Sequence, residues 1–163
     1  MTQLEMKETK AKICDNKSVG MIIRKGKDIL LIERKKFPLG FAPPAGHLDG
    51  DTFNHSAIRE TGEEVGLKTK GIKLLIEGQK ENKCRRSGGD WHYWKIYEIE
   101  TEGDINRSED ETKQVGWYNS EQIKNLVDRT KKYLAGQIPE TEWQQSPGLE
   151  PVWCEWFKEL GIL

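Results

Sequence analysis

Cysteine, methionine and histidine are scarce in this 163-residue sequence, at three each, and proline contributes only six residues. The cysteines, Cys14, Cys84 and Cys154, are odd in number, far apart and in no CxxC or zinc spacing. That excludes a disulfide-stapled secreted scaffold and predicts reduced thiols in a cytoplasm. No stretch approaches the ~18–20 apolar residues of a membrane span. The longest apolar runs, Met21–Ile23 and Ile29–Ile32, are strand-sized. Residues 1–12 are polar and charged without an apolar stretch, so no secretory signal is expected. Neither charge sign dominates: Lys+Arg is 26 and Asp+Glu is 27, a net charge of −1. That balance excludes a strongly basic nucleic-acid coat and an acidic tail. Internal repeats and low-complexity tracts are also missing.

What is present suits one globular unit. The mass of 18.8 kDa predicts a single domain over 1–163, with 1–16 a leader or edge strand and 149–163 a C-terminal amphipathic helix. Charged residues reach 33%, above the usual ~25%, yet six tryptophans supply bulky core material.

Local patterning gives an element order. Ser18–Arg24 and Asp28–Glu33 flank Lys25-Gly26-Lys27 and read as a β-hairpin. Phe37–Pro44 holds three prolines and reads as a loop or a very short extended piece. Phe53–Val65 carries Phe53, Ala57, Ile58, Thr61 and Val65 at helical spacing, with Thr52 as N-cap and Gly66 as stop. Ile72–Gln79 and Trp91–Ile99 read as strands joined through Ser87-Gly88-Gly89-Asp90. Val115–Tyr118 is a short strand, and Ser120–Leu134 a helix with Ser120 as N-cap. Ile138–Gly148 reads as irregular. Glu150–Leu160 places Trp153, Trp156, Phe157 and Leu160 on one helical stripe. The order is α+β, without the regular βαβ alternation of a doubly wound sheet.

The densest chemical signal is Arg59-Glu60-Thr61-Gly62-Glu63-Glu64-Val65-Gly66-Leu67. On a helix Glu60 and Glu64 are i and i+4 and share a face, which Glu63 flanks. Ile58, Thr61 and Val65 would hold the other face on a sheet. Three close carboxylates repel, and one guanidinium, Arg59, does not balance them. Two readings stay open on spacing alone: a site for a hard divalent cation, Mg2+ or Mn2+, or a solvated acidic helix face. An EF-hand loop on Asp49, Asp51 and Glu60 is excluded, because Phe53 and Asn54 would occupy its ligand and glycine positions.

A glycine-containing loop, Pro43-Pro44-Ala45-Gly46-His47-Leu48-Asp49-Gly50-Asp51, runs directly into that helix. Here the chain resembles the Nudix hydrolase family, whose box is a glycine, five residues, Glu, seven residues, then Arg-Glu-hydrophobic-x-Glu-Glu-x-Gly-hydrophobic. Gly46 is the glycine, seven residues separate Asp51 from Arg59, and Arg59 to Leu67 match except at Thr61. Two departures stand out: the Gly46–Asp51 loop is one residue short, and Asp51 replaces the first Glu.

The resemblance implies an α/β/α sandwich with a mixed central sheet and a carboxylate-bearing helix after a glycine loop. It implies hydrolysis of a nucleoside diphosphate-linked compound with a divalent metal, Mg2+ or Mn2+. Carried over to this sequence, Glu60 and Glu64 are the principal ligands, with Glu63 a further ligand or proton-transfer group and the Gly46 carbonyl completing the shell. Arg59 pairs with a glutamate and fixes its rotamer. A base outside the box would come from Ser108-Glu109-Asp110-Glu111, with Glu111 nearest the next strand.

Arg85 and Arg86 on the hairpin are candidates for clamping phosphate, a charged and solvated tip being the alternative. Trp91, Tyr93 and Tyr97 share one strand face and His92, Trp94 and Ile96 the other; Trp91 and Tyr93 are candidates for stacking a nucleobase, core packing being the alternative. Trp143 would cap a pocket or cover the core. His47 and His55 flank the box, neither at ligand spacing with a second histidine. Family signatures for ADP-ribose, diadenosine polyphosphates, coenzyme A and NADH are missing, which leans toward a nucleoside triphosphate cleaved to monophosphate and pyrophosphate. A non-catalytic nucleotide sensor and an RNA 5′-end hydrolase are the competing readings. The expected partner is a small nucleotide; the balanced charge argues against nucleic acid, no membrane contact is expected, and a homodimer stays open.

Overall fold

In the computed structural model, which describes residues 12–163, two four-stranded sheets lie between helices. The strands are β1 (Lys17–Ile22), β2 (Arg24–Lys25), β3 (Asp28–Arg34), β4 (Phe41–Ala42), β5 (Ala45–His47), β6 (Lys68–Lys80), β7 (His92–Glu102) and β8 (Thr112–Tyr118). The helices are α1 (Phe53–Val65), α2 (Ser120–Leu134), α3 (Glu140–Gln145) and α4 (Pro151–Glu159). One sheet runs β5-β1-β7-β6; β1 and β7 are parallel, from Lys17 opposite Tyr93 to Ile22 opposite Glu98, and the outer pairs are antiparallel. In the other sheet β3 pairs antiparallel with β2 and β4 and with β8.

Successive residues of the central strands serve opposite cores, as the pleat dictates. Met21, Leu30 and Tyr97 join Ala57 and Val65 under α1. Their neighbours Ile22, Leu31 and Ile96 join Ile123 and Val127 of α2 and Trp153, Trp156 and Phe157 of α4. Strands buried on both faces read as continuous apolar runs, which is what Met21–Ile23 and Ile29–Ile32 are. Gly20 admits the Trp153 indole, whose Cη2 would lie 2.3 Å from an added Cβ. The α/β/α layering and mixed strand directions are those expected.

Several local expectations change. The first apolar run does not pair along its length with the second: only Arg24 and Lys25 pair with β3, while β1 joins the other sheet beside β7. The N-cap of α2 is Asn119, not Ser120; its side chain accepts from the Gln122 N–H, and the Gln122 side chain accepts from the Asn119 N–H, closing a capping box. The stretch expected to be irregular contains α3, whose single buried residue, Trp143, leaves too little periodicity to read. Ile58 is 42% exposed instead of packed on the sheet. Of the leader, residues 1–11 lie outside the described region, and Ile13 bridges Ser87.

Candidate active site

The loop entering α1 is shaped by a tight turn. Asp49 and Gly50 both have positive φ, 53° and 90°, and the Asp51 N–H donates to the Leu48 carbonyl at 3.1 Å. Two consecutive positive φ values suit Asp-Gly, a side chain that tolerates the left-handed region followed by one without a Cβ. The turn aims Asp51 back along the helix, where Arg59 Nη1 donates to its carboxylate at 2.6 Å. Thr52 caps the helix by accepting the His55 N–H, and Gly66 ends it at φ 71°. Arg86 holds the turn from outside through both Asp49 carboxylate oxygens.

Below this turn the helical acids meet β5. A Cβ on Gly46 would lie 2.4 Å from Glu60 Cδ, so the bare glycine backbone forms the wall against which the Glu60 carboxyl rests. Glu64 is 7% exposed, and its Oε2 is buried without a hydrogen-bond partner among the described residues. Burial, then the Glu63 charge, pushes Glu60 up to about 7 despite Arg59. Burial and the Glu60 charge raise Glu64 well above the carboxylate range, opposed by Arg34 and the Ala45 N–H. Arg59 Nη2 lies 3.5 Å from Glu60, and Arg59 Nη2 donates to the His47 carbonyl at 3.2 Å. Glu63 stands exposed at the rim, 3.9 Å from Arg59 Nε. The acids are therefore not a solvated helix face: Glu64 is buried and Glu60 is half-buried against the Gly46 backbone, short of positive charge.

Glu111 reaches the same place from the loop before β8. Its charge raises both Glu60 and Glu64, and Lys36 Nζ lies 3.4 Å from it. The loop is tied to the end of α1 by the Ser108 N–H donating to the Glu64 carbonyl at 2.8 Å. The structure thus brings together Gly46, Arg59, Glu60, Glu63, Glu64 and Glu111.

From Gly46 a narrow cavity of about 50 Å³ runs past Arg34, Lys83 and Trp94. It shares Pro38, Asn82, Lys83 and Glu150 with a cavity of about 430 Å³ walled by Phe37, Tyr133 and Trp143. Trp143 and Tyr133 stack at 3.9 Å with planes 10° apart. Trp94 Nε1 donates to Asn82 Oδ1 at 3.0 Å, orienting that amide. Burial raises the Glu150 carboxyl against the opposing charge of Arg34.

The residues expected to contact substrate are placed differently. Arg86 is engaged by Asp49, and Arg85 is exposed on the hairpin; Lys83 and Cys84 supply the cleft wall instead. Trp91 is exposed and Tyr93 packs edge-on against Phe53 at 6.3 Å, on the α1 side of the sheet. The opposite residues of that strand, His92 and Trp94, line the narrow cavity. Sequence reasoning missed Phe37 and Tyr133, which only folding brings to Trp143. It also missed that Cys14, His47, Cys84 and His92 converge, because these four come from separate segments.

Comparison with known proteins finds the same fold. A family model described as the NUDIX domain matches residues 15–137. Among solved structures, the MutT NUDIX hydrolase of Burkholderia pseudomallei is similar at 22% identity and TM-score 0.57, over 65% of this chain and 84% of that one. A NUDIX hydrolase from Nitrosomonas europaea aligns at 20% identity and TM-score 0.57, over 75% and 90%. The NUDIX domain of Shewanella oneidensis NrtR, solved with ADP ribose, aligns at 15% identity and TM-score 0.55, over 82% and 99%.

Proposed function

The chain belongs to the NUDIX family, and from that membership we propose that it is a Mg2+-dependent hydrolase of a pyrophosphate linkage in a small nucleotide, with a nucleoside triphosphate the favoured substrate. Family and fold support Nudix-type hydrolysis of such linkages in general; the metal and the nucleotide are our reading. One observation carries it: Glu64 is buried with a carboxylate oxygen unpartnered among the described residues, beside a half-buried Glu60 that rests on Gly46, and from Gly46 the narrow cavity leads toward the aromatic-walled one.

The residues fit a hard divalent cation. Oxygen donors are in excess, charge compensation falls short, and desolvation raises both carboxyls, so that a cation would bind in competition with protons. Glu60, Glu64 and the Gly46 carbonyl would hold it, with Glu63 at the rim. A bound cation supplies neutralisation of the pyrophosphate charge and activation of a water.

The protein's own groups do the rest. Asp51 anchors Arg59, which in turn orients Glu60. Glu111 is positioned to accept the proton of the attacking water, its loop being fixed to α1. Lys83, at the junction of the two cavities, meets the phosphate chain. Phe37 and the Tyr133–Trp143 pair offer aromatic faces to a nucleobase, while Asn82 and Glu150 offer polar contacts to its edge.

Product identification by mass spectrometry on a panel of nucleotides, dinucleotides and nucleotide sugars tests this reading, with Mg2+, with Mn2+ and with EDTA. Metal-dependent release of a monophosphate and pyrophosphate from a triphosphate is expected. Saturable nucleotide binding with no turnover on any member would replace the hydrolase with a sensor.

A further inference from the structure

A second polar cluster lies in the wall of the narrow cavity, apart from the carboxylates. Cys14 precedes β1, His47 ends β5, Cys84 sits in the loop after β6, and His92 begins β7. One ligand atom from each lies within 4.8 Å of the other three. Cys14 Sγ is 3.3 Å from His92 Nε2. The rings of His47 and His92 are 5.3 Å apart, and His47 Nε2 is buried with no hydrogen-bond partner among the described residues. Cys14 and His92 are buried, at 6% and 1% exposure.

Backbone donors meet both sulfurs. The Asn16 N–H donates to Cys14 Sγ at 3.3 Å, and the Arg86 N–H donates to Cys84 Sγ at 3.4 Å. In both cases the donor is the backbone two residues beyond the cysteine, the kind of outer-shell contact that holds a metal-bound sulfur. Gly89 closes on the site so tightly that a Cβ would lie 2.1 Å from Cys84 Sγ. A tetrahedral ion with Zn–S of about 2.3 Å and Zn–N of about 2.0–2.1 Å separates its ligand atoms by about 3.3–3.8 Å. The cluster is already close to that size. Two cysteines and two histidines form a full tetrahedral set with no open position, and two thiolates balance a divalent charge in a buried place.

We propose that Cys14, His47, Cys84 and His92 bind one structural Zn2+ that fastens the segment before β1 and the β6–β7 loop to the strand carrying Gly46. The two histidines argue against a Cys14–Cys84 disulfide, which would give them no partner. The site closes over residues 83–89, which form the edge of the cleft, and holds the His47 end of β5 against β7. It is independent of the hydrolytic reading, because no carboxylate of that site takes part.

Metal analysis of the full chain, purified under reductant without chelator from zinc-supplemented medium, tests the proposal. One zinc per chain is expected. Protein depleted of metal and refilled with Co2+ should show a thiolate-to-cobalt charge-transfer band and the intense visible bands of a tetrahedral site. Cys84→Ser and His92→Ala should each lower the zinc content about tenfold or more, whereas His55→Ala should retain it. Zinc-free wild-type protein that also takes up no Co2+ would overturn the site. So would zinc that survives Cys84→Ser in protein whose Co2+-refilled form lacks the charge-transfer band, since that metal would lie on the carboxylates. A Cys14–Cys84 disulfide persisting under reductant would overturn it as well.

Discussion

Asp51, at the end of a loop one residue shorter than in the family box, accepts a 2.6 Å hydrogen bond from Arg59. The positive-φ pair Asp49-Gly50 turns the chain sharply enough for the shorter acid to reach its arginine. Arg59 is thereby held where it also meets Glu60 and Glu63. Asp51→Asn should lower kcat/KM by about 10–100-fold, the usual cost of losing a group that orients a metal ligand. Steady-state kinetics with folding checked by circular dichroism would measure it; unchanged kinetics would remove Asp51 from the site.

Glu64→Gln should separate stability from activity. The carboxyl is buried beside a like charge, so the amide should raise the melting temperature of metal-free protein. Turnover should fall roughly a thousandfold or more, several kcal/mol of lost charge stabilisation in the transition state. Thermal melts in EDTA and product assays would be compared, and retained turnover would overturn the ligand assignment.

The pH dependence of stability follows from Glu60. Its folded carboxyl titrates at about 7 against an ordinary 4.5. Between those values the folded chain holds a proton that the unfolded chain has released. The stabilisation is therefore complete below about 4.5 and lost as pH rises through 7, on the order of 3 kcal/mol. His47, lowered to about 4 mainly by burial, works in the opposite direction below 6.5. The clean readout is a comparison: the melting-temperature advantage of metal-free Glu60→Gln over wild type should grow with rising pH and level off above about 8. A pH-independent difference would show that Glu60 is not desolvated.

Two aromatic positions distinguish where the nucleobase sits. Phe37 is 51% exposed in the cleft, so Phe37→Ala should leave the core intact and raise KM roughly tenfold, the loss of a stacking surface. Trp91→Ala should leave KM within about twofold. The reverse pattern in initial-rate measurements would move the base to the Trp91–Tyr93 face.

The amino-acid sequence alone determined the box and its helix, since Thr52, the i, i+4 acids and Gly66 are local signals that tertiary context reinforces. It also determined the doubly buried strands through their continuous apolar runs. What it left undecided was every relationship between distant segments. Glu64 is buried and not exposed because β5 and the 103–111 loop close over it, which no helical period encodes. The stacking face of β7 was ambiguous because alternation defines two faces without saying which layer covers each. Phe37, Tyr133 and Trp143 form one wall only after three segments have been brought together, and Cys14, His47, Cys84 and His92 one cluster only after four have. Contacts of that sequence separation are set by packing, so the chemistry of the helix was legible and the chemistry around it was decided by the fold.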